Sequence, residues 1–193
     1  MGREGRRREV EIKLVLESAA AARRLLARAG FRCVHRRTLQ DDAVFDDAAG
    51  RLRRAGLLLR LRRSDRGAWL TFKGPAATGR HKEREELETP LAPAAADVLG
   101  EILARLGFRV SFRYQKYRTE YARPGEKGIA ALDETPIGVF LELEGPPSWI
   151  DRTARKLGFT PDRYLTATYA ELYLDHCKRH RLKPGHLMFR DTF

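Results

Sequence analysis

The sequence predicts an α+β fold in which antiparallel strands are interrupted by helices. Three observations support this fold class. Segments that alternate apolar and charged residues recur along the chain, as expected for strands with one apolar face. Several neighbouring segments are separated by short turns that contain Gly or Pro, which is typical of hairpins. Helical segments do not follow every strand, so a parallel doubly wound sheet is not expected.

The first half of the chain contains five predicted strands and one regular helix. Residues 8–17, REVEIKLVLE, form the first strand, since apolar and charged residues alternate there. Ser18 is the expected N-cap of a helix that ends at Gly30. Further strands are predicted near 31–46, at 56–63, at 68–74 and at 81–89, with a loop and a short helical turn at 47–56.

The second half of the chain begins with a predicted helix that Pro93 opens and Gly107 ends. The remaining predicted elements are a long strand at 108–121, hairpin strands at 129–135 and 138–145, a helix at 148–158 capped by Ser148, and a helix at 166–180. The last thirteen residues are basic and lack periodicity, so we expect them to lie on the surface or to be poorly ordered. One domain is therefore predicted over 8–177, followed by a basic tail over 178–193.

The net charge of +12 suggests an anionic partner, although charge alone does not identify it. No stretch has the run of about 20 apolar residues that spans a bilayer, and no secretory signal is recognised, so no membrane partner is expected. The two cysteines, Cys33 and Cys177, match no metal-binding spacing. A reduced, cytoplasmic location is the expectation, and a homodimer is left open.

The predicted strands share an unusual charged face. In the first strand, Glu9, Glu11 and Lys13 lie on one side, and Ile12 and Leu14 lie on the other. For any single strand, the simpler interpretation is a sheet face in water. Across all strands this interpretation weakens, because the polar faces consist almost exclusively of Arg, Lys and Glu. A barrel with charged groups inside and helices packed on its apolar outside satisfies both faces.

The residues on the charged faces indicate what such an interior binds. Arg and Lys clusters match phosphate oxygens, and carboxylates two residues apart match hard divalent cations. A ligand with several phosphates, together with Mg²⁺ or Mn²⁺, would neutralise both sets. The predicted interior cations are Lys13, Arg60, Arg62, Lys73, Lys82, Arg84, Lys116 and Arg118. The predicted interior anions are Glu9, Glu11, Glu86, Glu88, Asp133, Glu142 and Glu144.

Seven sequence blocks resemble those of the CYTH family, also called triphosphate tunnel metalloenzymes. The first block, Glu-Val-Glu-Ile-Lys at 9–13, is similar to the ExExK motif of that family. The others follow in order at 59–62 (LRLR), 71–75 (TFKGP), 84–88 (REELE), 115–118 (QKYR), 132–135 (LDET) and 140–145 (FLELEG). The resemblance covers roughly residues 8–176, and the number of ordered matches carries it.

The resemblance implies a closed eight-stranded antiparallel tunnel that binds a triphosphate with divalent metal. The most similar group is the class IV adenylyl cyclase-like one, which makes cyclic AMP and pyrophosphate from ATP. Other members hydrolyse thiamine triphosphate or inorganic tripolyphosphate. The implied metal ligands are Glu9, Glu11, Glu142 and Glu144, with Glu86 and Asp133 as secondary candidates. The implied phosphate-binding residues are Lys13, Arg60, Arg62, Lys73, Arg84, Lys116 and Arg118.

Two features depart from the family pattern. Family members usually carry an aromatic residue in the second strand where this chain has Val44, which affects the placement of a base or substrate. The basic tail also extends past the usual end of the family.

We therefore expect a metal-dependent enzyme that acts on a triphosphate, with Glu9, Glu11 and Lys13 as its catalytic residues. Lys13 could serve as a base only if its pKa were lowered. A catalytically silent polyphosphate-binding module is less favoured, because anion binding alone needs no carboxylates. A nucleic-acid-binding protein is least favoured, because it predicts exposed basic residues interleaved with aromatic ones, whereas here aromatic residues make up only 9% of the chain.

Overall fold

The computed structural model describes residues 6–190, which form eight strands and five α-helices. The strands are β1 (Arg6–Leu16), β2 (Arg32–Asp47), β3 (Leu58–Ser64), β4 (Gly67–Lys73), β5 (Lys82–Leu91), β6 (Phe108–Ala122), β7 (Ile129–Thr135) and β8 (Gly138–Glu144). The helices are α1 (Ala19–Arg28), α2 (Arg51–Arg54), α3 (Pro93–Arg105), α4 (Pro147–Lys156) and α5 (Tyr169–His180), and a 3-10 turn spans Pro161–Arg163.

The eight strands close into one barrel, in the order β1-β5-β4-β3-β2-β6-β7-β8. Every neighbouring pair is antiparallel, including the β1–β8 pair that closes the barrel. The predicted closed antiparallel barrel is thereby confirmed. Closure leaves each strand with two faces, one toward the barrel interior and one toward the surrounding helices.

Strand β1 shows how the alternating sequence produces this arrangement. Its odd-numbered charged residues from Glu9 to Lys13 line the interior, whereas Ile12 and Leu14 point outward. The outward residues are completely buried because α1 and α4 cover them with Leu26 and Ile150. Burial of each such aliphatic side chain stabilises the fold by about 1.5–3 kcal/mol, so the apolar face fixes the register that turns the charges inward.

The helix starts agree with the sequence prediction for α1 and for α3, which Pro93 opens, and differ from it for α4 and α5. Ser18 caps α1, because its side chain accepts a hydrogen bond from the backbone N–H of Ala21. The prediction that Ser148 caps the next helix is wrong: α4 starts one residue earlier, at Pro147, and has no side-chain cap. Helix α5 starts three residues later than predicted, since Thr168 and Glu171 form a capping box there.

The segment after α5 was expected to lie on the surface or to be poorly ordered. Most of its described residues are exposed, but Leu187 is only 2% exposed. The backbone N–H of Leu187 donates to Arg113 O at 2.9 Å, and its carbonyl accepts from Gln115 N at 2.8 Å. Strand β7 pairs with β6 only from Tyr117 onward, so the segment covers an edge of β6 that β7 leaves free.

None of the helices within residues 6–190 is both long enough and apolar enough to span a membrane.

Candidate active site

The barrel encloses a tunnel of about 240 Å³ whose wall consists mainly of charged side chains. Every residue predicted for the site lines this cavity except Asp133, which is fully buried behind Lys116 and Arg118. The predicted residues on the wall are Glu9, Glu11, Lys13, Arg60, Arg62, Lys73, Arg84, Glu86, Lys116, Arg118, Glu142 and Glu144. The barrel thus brings together residues that are up to 135 positions apart in the sequence, Glu9 and Glu144.

Strand register decides which charges meet across the tunnel wall. Glu9 lies opposite Arg84 of β5, and Lys73 of β4 lies opposite Glu86. Directly opposite side chains on one face of a sheet are in contact range, so these pairs place opposite charges together. The register also places Glu11 opposite Glu144, which brings two carboxylates together.

The first ion cluster surrounds Lys13. Its Nζ atom lies 2.8 Å from Oε1 of Glu11 and 3.2 Å from Oε2 of Glu142. Burial would lower the pKa of Lys13, but the two carboxylates outweigh it and raise this pKa above its ordinary value. Lys13 is therefore held as a cation, a state that suits phosphate binding and not proton abstraction.

The second ion cluster joins β1, β4 and β5 around Glu9. One carboxylate oxygen of Glu9 accepts a hydrogen bond from Lys73, and the other accepts from Arg84 Nε at 2.9 Å. Lys73 Nζ also lies 3.1 Å from Oε1 of Glu86. Burial would raise the pKa of Glu9, but Lys73 and Arg84 together lower it to about 2. Glu9 is therefore an anion at neutral pH.

The third ion cluster is centred on the buried carboxylate of Asp133. Its Oδ2 atom accepts hydrogen bonds from Lys116 Nζ at 2.7 Å, Arg118 Nη2 at 2.6 Å and Tyr169 Oη at 2.6 Å. Arg118 also donates to Glu142 at 2.7 Å, which connects this cluster to that of Lys13. Burial and the neighbouring Arg118 lower the pKa of Lys116 to about 8, although Asp133 opposes this shift.

Sequence reasoning missed the acidic partner of the two arginines on β3. Asp42 is fully buried and accepts from Arg62 Nε at 2.8 Å. The Nε atom of Arg60 lies 3.4 Å from the same carboxylate but, within residues 6–190, this buried donor has no hydrogen-bond partner. A buried unsatisfied donor on the tunnel wall is a position where a ligand oxygen fits. Because Asp41 and Asp42 are adjacent, the sequence alone did not show which of the two side chains faces the tunnel.

Two tyrosines on the tunnel wall also matter. Tyr114 was expected to line the tunnel or to pack at its rim, and it lines it, with its hydroxyl 3.5 Å from Arg60 Nη1. Tyr169 was not predicted for the site. The site residues were predicted from the alternation of charged residues along strands, and Tyr169 lies on helix α5. Both belong to a buried group at one end of the tunnel, made up of Tyr114, Phe140, Tyr169 and Leu187, which we call the end cluster.

The two ends of the tunnel differ in exposure. The end cluster is buried at one end, whereas Arg7, at the start of β1, is 55% exposed at the other. Arg7 forms ion pairs with Glu86 at 2.6 Å and Glu144 at 3.0 Å. Val44, where the family usually has an aromatic residue, packs against the end cluster. Aromatic surface at this end therefore comes from β6, β8 and α5 instead.

The carboxylates suit a divalent metal in chemistry but are not arranged around one here. Among residues 6–190, no three Asp, Glu, His or Cys side chains form a ready metal-binding group. Burial, with a smaller contribution from the carboxylates of Glu142 and Glu9, raises the pKa of Glu144 to about 7 although Arg7 opposes the shift, so part of it is repulsion between carboxylates. A hard cation with oxygen ligands relieves such repulsion, so the donor set fits Mg²⁺ or Mn²⁺ once carboxylates exchange their Lys and Arg partners.

The fold and the site define a class of protein in which a closed antiparallel barrel surrounds a tunnel of paired acidic and basic side chains. A model of the CYTH domain matches residues 7–157. The chain belongs to the CYTH family, as the sequence blocks predicted.

Relatives agree with this assignment. A protein of Methanocaldococcus jannaschii named "Putative adenylate cyclase" is 27% identical over 175 residues, covering 85% of this chain and 97% of the relative. The PH1819 protein of Pyrococcus horikoshii is 26% identical, with a TM-score of 0.71 over 87% of this chain and 99% of that one. HpAC1 from Hippeastrum, a "putative adenylyl cyclase" with "dominant" triphosphatase activity, is 23% identical, with a TM-score of 0.62 over 91% and 97% of the two chains.

Proposed function

We propose that this protein is a divalent-metal-dependent enzyme that cleaves a triphosphate inside the barrel. One observation carries this proposal: a single enclosed tunnel holds basic side chains from five strands together with carboxylates from β1, β5, β6 and β8. A protein that only binds anions has no use for the carboxylates, which weaken phosphate binding unless a cation occupies them. The names of the relatives from Methanocaldococcus jannaschii and Hippeastrum support an enzyme of this kind.

The basic residues bind and orient the phosphate chain in this proposal. Among the described residues the buried Nε of Arg60 has no hydrogen-bond partner, although it lies 3.4 Å from Asp42, and Arg62 lies beside Arg60 on the same strand face. Lys13 is fixed as a cation by its carboxylate neighbours. Together the cations offset the negative charge that develops on the leaving phosphates. The residues assigned to phosphate binding are Lys13, Arg60, Arg62, Lys73, Arg84, Lys116 and Arg118.

The carboxylates hold the metal in this proposal. Glu9, Glu11, Glu142 and Glu144 are the assigned ligands, and Glu86 and Asp133 are secondary candidates. When bound, Mg²⁺ or Mn²⁺ neutralises phosphate oxygens and polarises the phosphorus that is attacked. Asp133 is the weaker candidate, because three donors already occupy its Oδ2 atom and it does not line the tunnel.

Two reactions use the same tunnel and differ in the nucleophile. In hydrolysis, a water oxygen attacks a terminal phosphorus, the bridging P–O bond breaks, and the leaving diphosphate takes the electron pair. In cyclisation, the ribose 3′-oxygen of ATP attacks the α-phosphorus and pyrophosphate leaves. The candidate substrates are ATP, thiamine triphosphate and inorganic tripolyphosphate. The dominant triphosphatase activity of the Hippeastrum protein favours hydrolysis, and the name of the Methanocaldococcus jannaschii relative favours cyclisation.

The test is a parallel assay of these three substrates with Mg²⁺ or Mn²⁺, in which phosphate, pyrophosphate and cyclic AMP are resolved. Glu142→Ala removes a proposed metal ligand, and Glu101→Ala on the exposed surface of α3 is the matched control. Turnover that Glu142→Ala abolishes and Glu101→Ala retains supports the proposal, and the products identify the reaction. If the wild-type protein turned over none of the three substrates, the proposed enzymatic function would be refuted, and a polyphosphate-binding module would remain as the alternative.

Other properties proposed from the sequence rest on the family resemblance and composition. A domain over 8–177 with a basic tail over 178–193, a cytoplasmic location and a homodimer belong to this group. Light scattering of the purified chain tests the homodimer, with a mass near 44 kDa, about twice the 22.1 kDa of one chain, as the result that would establish it.

A further inference from the structure

Tyr169 reaches the tunnel from a helix outside the barrel. Thr168 caps α5 by accepting a hydrogen bond from Glu171 N at 3.2 Å, and the Glu171 side chain accepts one from Thr168 N at 2.7 Å. This capping box fixes the start of α5. The next residue, Tyr169, is 6% exposed and lines the tunnel. It lies beyond residue 157, where the match to the CYTH domain ends.

The ring of Tyr169 lies close to two of the proposed phosphate-binding lysines. The Nζ atoms of Lys13 and Lys116 lie 5.4 Å and 4.9 Å from the ring centroid. The face of an aromatic ring attracts a cation within about 6 Å, and more strongly where water is excluded. One ring thus contributes to holding two ammonium groups that repel each other.

The hydroxyl of Tyr169 acts on the same group of charges from its other side. It donates to Asp133 Oδ2 at 2.6 Å, and this oxygen also accepts from Lys116 and Arg118. A tyrosine hydroxyl is uncharged near neutral pH and can donate its proton in a hydrogen bond. A neutral donor on Asp133 satisfies part of that carboxylate without adding another cation.

A simpler interpretation is that Tyr169 only packs. A buried tyrosine with a bonded hydroxyl is often a core residue, and Tyr169 contacts Tyr114 and Phe140 at centroid distances of 6.0 Å and 5.6 Å. Packing alone would be satisfied by any large apolar side chain. A packing role requires neither an aromatic ring face near two lysines nor a hydroxyl that donates to Asp133 Oδ2, the oxygen that also accepts from Lys116.

We infer that Tyr169 is a positioning residue, which holds Lys13 and Lys116 in the geometry that receives the phosphates. This inference rests on the proposed triphosphate function and extends it to α5. The barrel strands carry the charged groups, but the docked helix completes the site. A variant that removes the ring should therefore weaken triphosphate binding even when the barrel stays folded.

The experiment compares two variants with a control on the same helix. Tyr169→Phe keeps the ring and removes the hydroxyl, and Tyr169→Leu removes both. Leu172→Ala is the control, because Leu172 packs against the end cluster and does not line the tunnel. Calorimetric titration with tripolyphosphate in metal-free buffer measures Kd, assays with Mg²⁺ measure KM and kcat, and thermal denaturation measures Tm.

For Tyr169→Leu we expect Kd and KM to rise about tenfold or more, which is the size of two lost cation–π contacts. For Tyr169→Phe we expect a smaller rise, about threefold, since the ring remains. Leu172→Ala should lower Tm yet leave Kd within about twofold of wild type. Unchanged binding in Tyr169→Leu would overturn the inference. The inference would also be overturned if Leu172→Ala weakened tripolyphosphate binding as much as Tyr169→Leu does, with the same loss of Tm. Tyr169 would then contribute only to packing. Failure of the wild-type protein both to bind tripolyphosphate in the titration and to turn it over with Mg²⁺ would instead refute the triphosphate site, and the inference would fall with it.

Discussion

The Nζ atom of Lys13 lies 2.8 Å from Oε1 of Glu11, with both side chains buried inside the barrel. The two residues are two positions apart in β1, so their side chains point to the same face of the strand and lie next to each other. An unpaired charge at this depth would be strongly destabilising, and the pairing keeps both groups ionised. The tunnel therefore holds its cations and anions as ion pairs, and in the proposed function substrate and metal would take the place of these partners.

Replacement of Lys13 tests this exchange. Lys13→Met removes a phosphate-binding cation and leaves Glu11 and Glu142 without their shared partner. We expect kcat/KM for the triphosphate to fall by about 100-fold or more, a loss of about 3 kcal/mol. Lys183→Met, at an exposed position of the C-terminal segment, is the control and should retain activity. Activity of Lys13→Met within about threefold of wild type would show that Lys13 does not act on the substrate.

Removal of a proposed metal ligand tests the role of the carboxylates. In the proposed function Mg²⁺ would bind the folded protein and not the unfolded chain, so it should raise the Tm of the wild-type protein in a concentration-dependent way. Glu11→Gln should reduce this rise strongly, because an amide is a weaker ligand for a hard cation than a carboxylate. Glu17→Gln, at an exposed position, should respond like wild type. Equal Mg²⁺ responses in both variants would contradict the assigned site, as would a wild-type protein that Mg²⁺ leaves unchanged.

Asp42 should make stability depend on pH in the acid range. Burial would raise its pKa, but Arg62 and Arg60 lower it to about 2 from the ordinary 3.8. A lowered pKa in the folded state contributes stability above pH 3.8, and this contribution is lost as pH falls from 3.8 toward 2. The corresponding free energy is about 2 kcal/mol.

The measurement is denaturant unfolding of wild type and Asp42→Asn at several pH values. The difference in free energy of unfolding should shrink by about 2 kcal/mol between pH 5 and pH 2. Asp41→Asn breaks a more exposed ion pair with Arg113 and should show little of this change. A difference between wild type and Asp42→Asn that stays constant with pH would refute the role assigned to Asp42.

Gly128 permits the close approach of α4 to the barrel. A Cβ atom at Gly128 would lie 2.2 Å from the ring of Trp149, which is buried and donates to Glu126 at 2.6 Å. Gly128→Ala should therefore lower the free energy of unfolding by about 3 kcal/mol. Gly100→Ala, on α3 with nothing within 4 Å, should raise it by up to about 1 kcal/mol. Denaturant unfolding of both variants checks the two signs, and a neutral Gly128→Ala would contradict the packing at Trp149.

The barrel was predictable because strand periodicity alone separates the two faces. Glu9, Glu11 and Lys13 could be assigned to one face from their spacing, and the apolar residues between them required a cover of helices. For each such strand taken alone, a sheet face in water was the better explanation. Only the recurrence of Arg, Lys and Glu in most strands favoured the hypothesis that the charged faces line the interior of a barrel.

The missed residues depend on contacts that spacing does not encode. The inward orientation of Asp42, and not Asp41, depends on the register of β2, which carries irregular steps along its pairing with β6. Tyr169 and Leu187 enter the end cluster through the docking of α5 and the segment after it. These are long-range packing contacts, and a residue pattern within one segment does not reveal its distant partner.

The most direct test of the account is a crystal structure of the protein grown with tripolyphosphate and Mn²⁺, with anomalous scattering used to locate the metal. We predict phosphate density inside the barrel against Lys13, Arg60 and Lys116, and a Mn²⁺ peak among Glu9, Glu11, Glu142 and Glu144. Phosphate and Mn²⁺ bound only outside the barrel, with the ion pairs of the tunnel unchanged, would contradict it.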